Sequence, residues 1–149
     1  MKQSRKMVRH ALLIPTTLLT IGLASASSAM AQIYTPIELT GGREISDTLS
    51  ERDIPTGVGG FARDYKVELF EGDQITIDLI SEEFDTLVSL LGADGNTVSE
   101  NDDGPDGSTN SLLFARIATS GQYTVRVRSY AGQGIGDFSL RLARLQEIQ

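Results

Sequence analysis

From Tyr123 to Arg128 apolar and polar side chains alternate without a break: Tyr123, Val125 and Val127 against Thr124, Arg126 and Arg128. A period of two is that of a strand with one buried and one wet face, because successive side chains leave opposite sides of the pleat. Tyr65, Val67 and Leu69 repeat the pattern, as do Ile75, Ile77 and Leu79, and Glu71-Gly72-Asp73 turns the chain between them into a hairpin. Phe138, Leu140 and Leu142 form a last strand after a loop loosened by Gly132, Gly134 and Gly136. Thr86 to Leu91 is a short apolar run with β-formers, closed by the turn residues Asp94-Gly95-Asn96. Leu112 to Ile117 reads as another strand, Ile37 to Leu39 and Ile45 to Leu49 as short ones, and residues 51–60, with Pro and three Gly, as a loop. About eight strands at intervals near ten residues, with no amphipathic helical period, predict an all-β fold: an antiparallel β-sandwich or barrel. The expected core comprises Tyr65, Val67, Leu69, Ile75, Ile77, Leu79, Leu112, Phe114, Tyr123, Val125, Val127, Phe138, Leu140 and Leu142.

The first 31 residues read as a signal peptide. Lys2, Arg5, Lys6 and Arg9 form a basic start, residues 11–24 are mainly apolar, and Ala29-Met30-Ala31 offers small residues for cleavage after Ala31. The apolar stretch is short for a bilayer span, so export without a retained anchor, to the periplasm or outside the cell, is the expectation. Residues 32–60 then supply short strands and a loop to the same domain as residues 61–149. All 20 acidic residues follow Ala31, whereas 4 of the 13 basic ones precede it, so the processed chain would carry a net charge of −11. Such a balance disfavours nucleic acid and anionic membranes and favours cations or basic surfaces.

Charge is concentrated around the middle of the chain. Between Glu71 and Asp106 stand eleven Asp or Glu and no Lys or Arg. Carboxylates this dense repel one another unless a cation or water screens them. Asp85, Asn101, Asp102, Asp103, Asp106 and Asn110 offer the oxygen ligands that Ca²⁺ takes in sets of six to eight. The spacing is not that of an EF-hand, since counting from Asp102 puts Gly104 third and Leu113 twelfth. The competing reading is turn chemistry, in which Asn and Asp side chains bond the loop backbone. Both readings stand at this stage.

The order DYKVELFEGDQITIDL, FDTLVSLLGADGNTVSENDDG, NSLLF and SGQYTVRVRSYAGQGIGDFSLRL resembles the bacterial pre-peptidase C-terminal domain, over about residues 61–142. The resemblance implies a jelly-roll-like sandwich that is not itself a peptidase and accompanies secreted proteins in secretion or attachment. Related collagen-binding modules hold calcium through acidic residues, among which Asp64, at the Asp-Tyr step, is the position that matches here. The acidic segment that precedes the first main strand in those modules is absent.

Enzymatic chemistry lacks its usual groups. His10 is the single histidine and falls within the signal peptide, and there is no cysteine. A Ser-His-Asp or Cys-His centre and a His or Cys metal site therefore have no members in the processed chain. Phe84-Asp85-Thr86 is followed by Leu87 rather than the glycine an aspartic protease requires. Tyr130, on the outward phase with Arg126 and Arg128, offers an aromatic and cationic contact for a sugar or peptide, or simply an edge cap. The sequence thus points to a non-catalytic exported binding module, stabilised by calcium if the acidic loop takes it. Its expected partner is a secreted or surface protein or a polysaccharide. A structural envelope or matrix protein is the alternative, and a small carboxylate-dependent hydrolase a more distant one.

Overall fold

The computed structural model describes residues 35–146; the expected signal peptide and its cleavage site lie outside them. The alternation that opens the sequence reading is realised in β9 (Gly121–Ser129), where Tyr123, Val125 and Val127 are buried and Arg126 and Arg128 point outward. The other strands are β1 (Ile37–Glu38), β2 (Glu44–Leu49), β3 (Ile54–Pro55), β4 (Phe61–Leu69), β5 (Gln74–Ile80), β6 (Thr86–Leu91), β7 (Thr97–Asn101), β8 (Ser111–Arg116) and β10 (Gly136–Arg144). They form two sheets, β1-β4-β9-β6-β7 with β3 on the flank of β4, and β2-β10-β5-β8. The sheets pack as a sandwich because each has one apolar face that water would otherwise wet. Tyr65, Val88, Leu90 and Val125 of the first meet Leu49, Ile77, Leu79, Leu140 and Leu142 of the second in one core. Phe138 joins the sheets with its ring edge-on to both Tyr65 and Phe84, at 6.4 and 6.3 Å between centroids.

Four expectations need correcting. There are ten strands rather than about eight; β1 and β3 are two-residue pairings, and β3 lies inside the segment read as loop. The pairing is not wholly antiparallel, since β1 runs parallel to β4. Tyr130 is not on the strand but in a 3₁₀ turn, Tyr130–Gly132, just past β9.

The last correction concerns β8, where the sandwich buries Ser111, Leu113 and Ala115, leaving Leu112 half-buried and Phe114 55% exposed. Leu112-Leu113-Phe114 is apolar in both phases, so its side chains alone do not set the register. The register is set at Ser111, whose hydroxyl lies 2.6 Å from that of buried Thr86, and by buried Ile117 in the same phase. Leu113→Ala should therefore cost about 2–5 kcal/mol in urea unfolding, whereas Phe114→Ser should stay within about 0.5 kcal/mol.

At the end of the sandwich bearing the short turns, Arg144 secures the hairpin. Its Nε donates to Asp73 at 2.9 Å, Nη2 donates to the Glu68 carbonyl at 2.6 Å, and the guanidinium lies 5.9 Å from the centre of the Phe70 ring. The Phe70 backbone N–H and Arg144 hold the Asp73 carboxyl below its ordinary pKa. A depressed carboxylate stabilises the fold above its unfolded value, and that contribution is lost as pH falls through the folded value. Stability should thus decline below about pH 4, and Asp73→Asn should flatten that decline in melting curves recorded from pH 6 to pH 2.

Candidate functional site

Strand direction sorts the connections between the two ends of the sandwich. β4, β6, β8 and β10 begin where β2, β5, β7 and β9 finish, so these four connections share one end. They are residues 50–60, 81–85, 102–110 and 130–135. These carry Glu51, Asp53, Glu82, Glu83, Asp85, Asp102, Asp103 and Asp106 against the single basic residue Arg52. Val58, Tyr130 and Ile135 are exposed at the same end, Val58 to 85%. Loops gathered at one end of a rigid sandwich are where such folds place their binding residues.

The loop nearest the core is tied down by charge. Asp47 occupies the inward phase of β2, opposite Phe138, and receives the Tyr65 hydroxyl and Arg63 Nε, both at 2.8 Å. Arg63 Nη1 reaches Asp53 at 2.7 Å, and the other Asp53 oxygen takes the Ser50 backbone N–H, also at 2.7 Å. Burial alone would lower the Arg63 pKa, but Asp53 and Asp47 outweigh it and hold the guanidinium above its ordinary value. Burial, reinforced by the bond to Asp47, pushes the Tyr65 phenol well up, so it remains a donor throughout the working range. Further on, Thr56 bonds Gly59 and Gly60. Gly60 lies so close to Gly132 that an added Cβ would stand 2.6 Å from the Gly132 Cα. Loops 50–60 and 130–135 are thereby packed against each other.

Several of the residues offered for calcium hold the loops together instead. Asn101 Nδ2 donates to the carbonyls of Asp103 and Leu112, both at 2.8 Å, which pins the loop to the edge of β8. Asp106 accepts the Ser108 hydroxyl at 2.7 Å and its N–H at 3.1 Å, and these bonds lower its pKa. The Asn110 side-chain oxygen accepts the Ser81 N–H at 3.0 Å, and the Asp85 carbonyl accepts the Tyr130 N–H at 2.8 Å. Asp102 and Asp103 sit beside Asn101 in the same loop. No three acidic side chains among the described residues converge as metal ligands would. Asp64, the position suggested by resemblance, is buried on the outer face of the first sheet, with both oxygens on Arg126 at 2.7 and 2.8 Å. As arranged among the described residues, these acidic groups are not gathered into the convergent oxygen set that a hard cation takes. Arg128 is likewise paired, with Glu100 at 2.7 Å, so Arg126 and Arg128 brace the sheet while Tyr130 belongs to the loop end.

Other features escaped the sequence reading. Asp47 and Arg63 were detectable as charges in the inward phase of strands whose phase Leu49 and Tyr65 define. An acidic hollow of about 570 Å³ lies between Asp47, Glu82, Glu83 and Asp137 at the margin of the loop end. Three of these carboxylates are engaged: Asp47 by Tyr65 and Arg63, Glu83 by the Asp137 N–H at 2.9 Å, and Asp137 by the Thr48 hydroxyl at 2.6 Å.

Residues 62–129 match the bacterial pre-peptidase C-terminal domain family. The matched stretch runs from β4 to the end of β9, and the resemblance read from the sequence is borne out over it. β2 and β10, outside the stretch, complete the second sheet. The pre-peptidase C-terminal domain of a Bacillus anthracis collagenase superposes with a TM-score of 0.55 at 15% identity, covering 72% of this chain and 94% of that one. PliG from Aeromonas hydrophila, a periplasmic inhibitor of g-type lysozyme, gives 0.55 at 13% identity, covering 74% and 96%. PliG from Salmonella Typhimurium gives 0.51 at 11%, covering 75% and 100%. At such identities the likeness is one of fold. No curated protein matches the chain. Among the described residues no helix is long and apolar enough to cross a membrane.

With no three acidic side chains converging among the described residues, melting curves of residues 32–149 in EDTA and in millimolar Ca²⁺ should superimpose. A rise of several degrees with Ca²⁺, abolished by Asp102→Asn with Asp103→Asn, would show instead that a site assembles in the loop.

Proposed function

We propose that the protein is an exported, non-catalytic binding module that engages a basic protein through the loop-bearing end of its sandwich. One observation carries this reading: four loops converge on one end with eight acidic side chains, of which Asp53 is paired with Arg63 of β4, against the one basic residue Arg52 in the loops, and with Val58, Tyr130 and Ile135 exposed. A charged surface of one sign steers an oppositely charged partner and fixes its orientation, and apolar groups at its centre supply affinity. The family match and the fold neighbours support the reading, one being a domain of a collagenase and another a periplasmic inhibitor that acts by binding an enzyme. The residues before Gln32, read as a signal peptide, support export.

The test is binding of residues 32–149 to a g-type lysozyme, and to basic and acidic proteins of similar size, by biolayer interferometry at 50 and 300 mM salt. The expected result is saturable binding to a basic member that weakens with salt. Glu82→Gln, Asp102→Asn and Asp103→Asn together should weaken it tenfold or more. Failure to bind any basic member, or binding indifferent to salt and to these substitutions, would refute the proposal.

A further inference from the structure

Val58 is the most exposed large apolar side chain among the described residues, and its loop is locked rather than loose. The Thr56 N–H donates to the Gly60 carbonyl at 3.0 Å, the Gly59 N–H to the Thr56 carbonyl at 3.4 Å, and the Thr56 hydroxyl bonds the Gly59 carbonyl. Gly59 and Gly60 have φ of 107° and 73°, values that a side chain rarely tolerates, so the turn is built for glycine. The facing loop is held as firmly. The Tyr130 N–H donates to Asp85, the Gly134 N–H donates to the Ser129 hydroxyl at 2.8 Å, and a Cβ on Gly134 would stand 2.3 Å from that of Phe84. Between them Ala131 sits at φ 53°, the single non-glycine residue with positive φ among those described. Backbone strain of this kind persists where surrounding structure imposes it, and it concentrates at functional sites. Val58 is one residue from the Gly59–Gly132 contact, Tyr130 two and Ile135 three, so the three exposed residues belong to the two loops joined there.

We infer that these joined loops form a preformed plug, with Tyr130 as its main anchor and Val58 at its tip, which enters an apolar cleft rimmed by Lys and Arg on a secreted protein. Side chains held in their bound arrangement lose little freedom on association, and an amphipathic Tyr fills a pocket while its hydroxyl keeps a polar partner. The occupant's chemistry follows from the surroundings. The three exposed residues carry no charge of their own, whereas the adjoining loops carry Glu82, Glu83, Asp102 and Asp103, which match a cationic rim. This inference rests on the binding role proposed above and assigns the task of its apolar centre, apart from that of the acidic loops.

The two are separated with the protein that binds best in the interferometry panel, using Tyr130→Ala, Val58→Asp and, as a control, Val98→Ala, whose exposed side chain lies on β7. Tyr130→Ala and Val58→Asp should each weaken binding at least tenfold, through faster dissociation and with the salt dependence retained, while Val98→Ala changes nothing. Melting temperatures close to that of the unsubstituted protein would exclude misfolding. A benzophenone attached at Val58→Cys should crosslink the bound protein, and one at Val98→Cys should not. If the unsubstituted protein binds and all three variants bind alike, the plug is overturned while the acidic end stands. If nothing binds, both fall.

Discussion

Asp47 stands on the inward side of β2, where the sequence pattern calls for an apolar residue, and its position is sustained by what the opposite sheet offers it. The Tyr65 hydroxyl and the Arg63 guanidinium both donate to it, and Arg63 continues to Asp53 in the first long loop. A carboxylate, a phenol and a guanidinium at the edge of a core are each costly to bury alone and tolerable together. The clasp therefore joins the two sheets by polar bonds at the end where the apolar core gives way to loops. It also converts the segment after β2 from a tether into a fixed support, because the same Asp53 that takes Arg63 also takes the backbone of Ser50.

From this support the loop end follows. Thr56, Gly59 and Gly60 close a turn, Gly60 packs on Gly132, and two loops far apart in sequence are joined. The acidic loops beside it are organised by their own side chains: Asn101 pins one to β8, and Asn110 links it to Ser81. Charge and shape are thus produced by different residues. The carboxylates that create the field remain near solvent, while Asn, Ser, Thr and Gly determine where the backbone runs. On the outer face of the first sheet, Arg126 neutralises Asp64 on the neighbouring β4 and Arg128 reaches over β6 to Glu100 on β7, which keeps that face from adding to the repulsion.

The fold was legible wherever a strand alternates cleanly. β4, β5, β9 and β10 each bury the side chains their period assigns, and the order of fragments over about residues 61–142 carried the family resemblance that is matched over residues 62–129. The period failed where apolar residues stand in both phases, as at Leu112-Leu113-Phe114, because the Thr86–Ser111 contact between sheets and the burial of Ile117 fix that register. The site was legible in part. Density of carboxylates drew attention to residues 71–106, but their count does not say whether oxygens converge, and Asn101, Asp106 and Asn110 are used by backbone donors and acceptors instead. Tyr130 was noticed but set beside Arg126 and Arg128, since a strand was extended one residue into a turn. Val58 gave no signal, for an exposed valine among glycines acquires meaning only when the packing of Gly60 on Gly132 is known.

The central claim is that the clasp keeps the loop end rigid, and hydrogen exchange read by NMR tests it most directly. In the unsubstituted protein the amides of Asp53, Thr56 and Gly59, which donate within the loop, should be protected well above random-coil rates. Asp53→Ala should accelerate all three while the amides of Val125 and Leu140 in the core keep their protection. Loop amides that exchange at random-coil rates before any substitution, or that are unmoved by Asp53→Ala, would contradict the account.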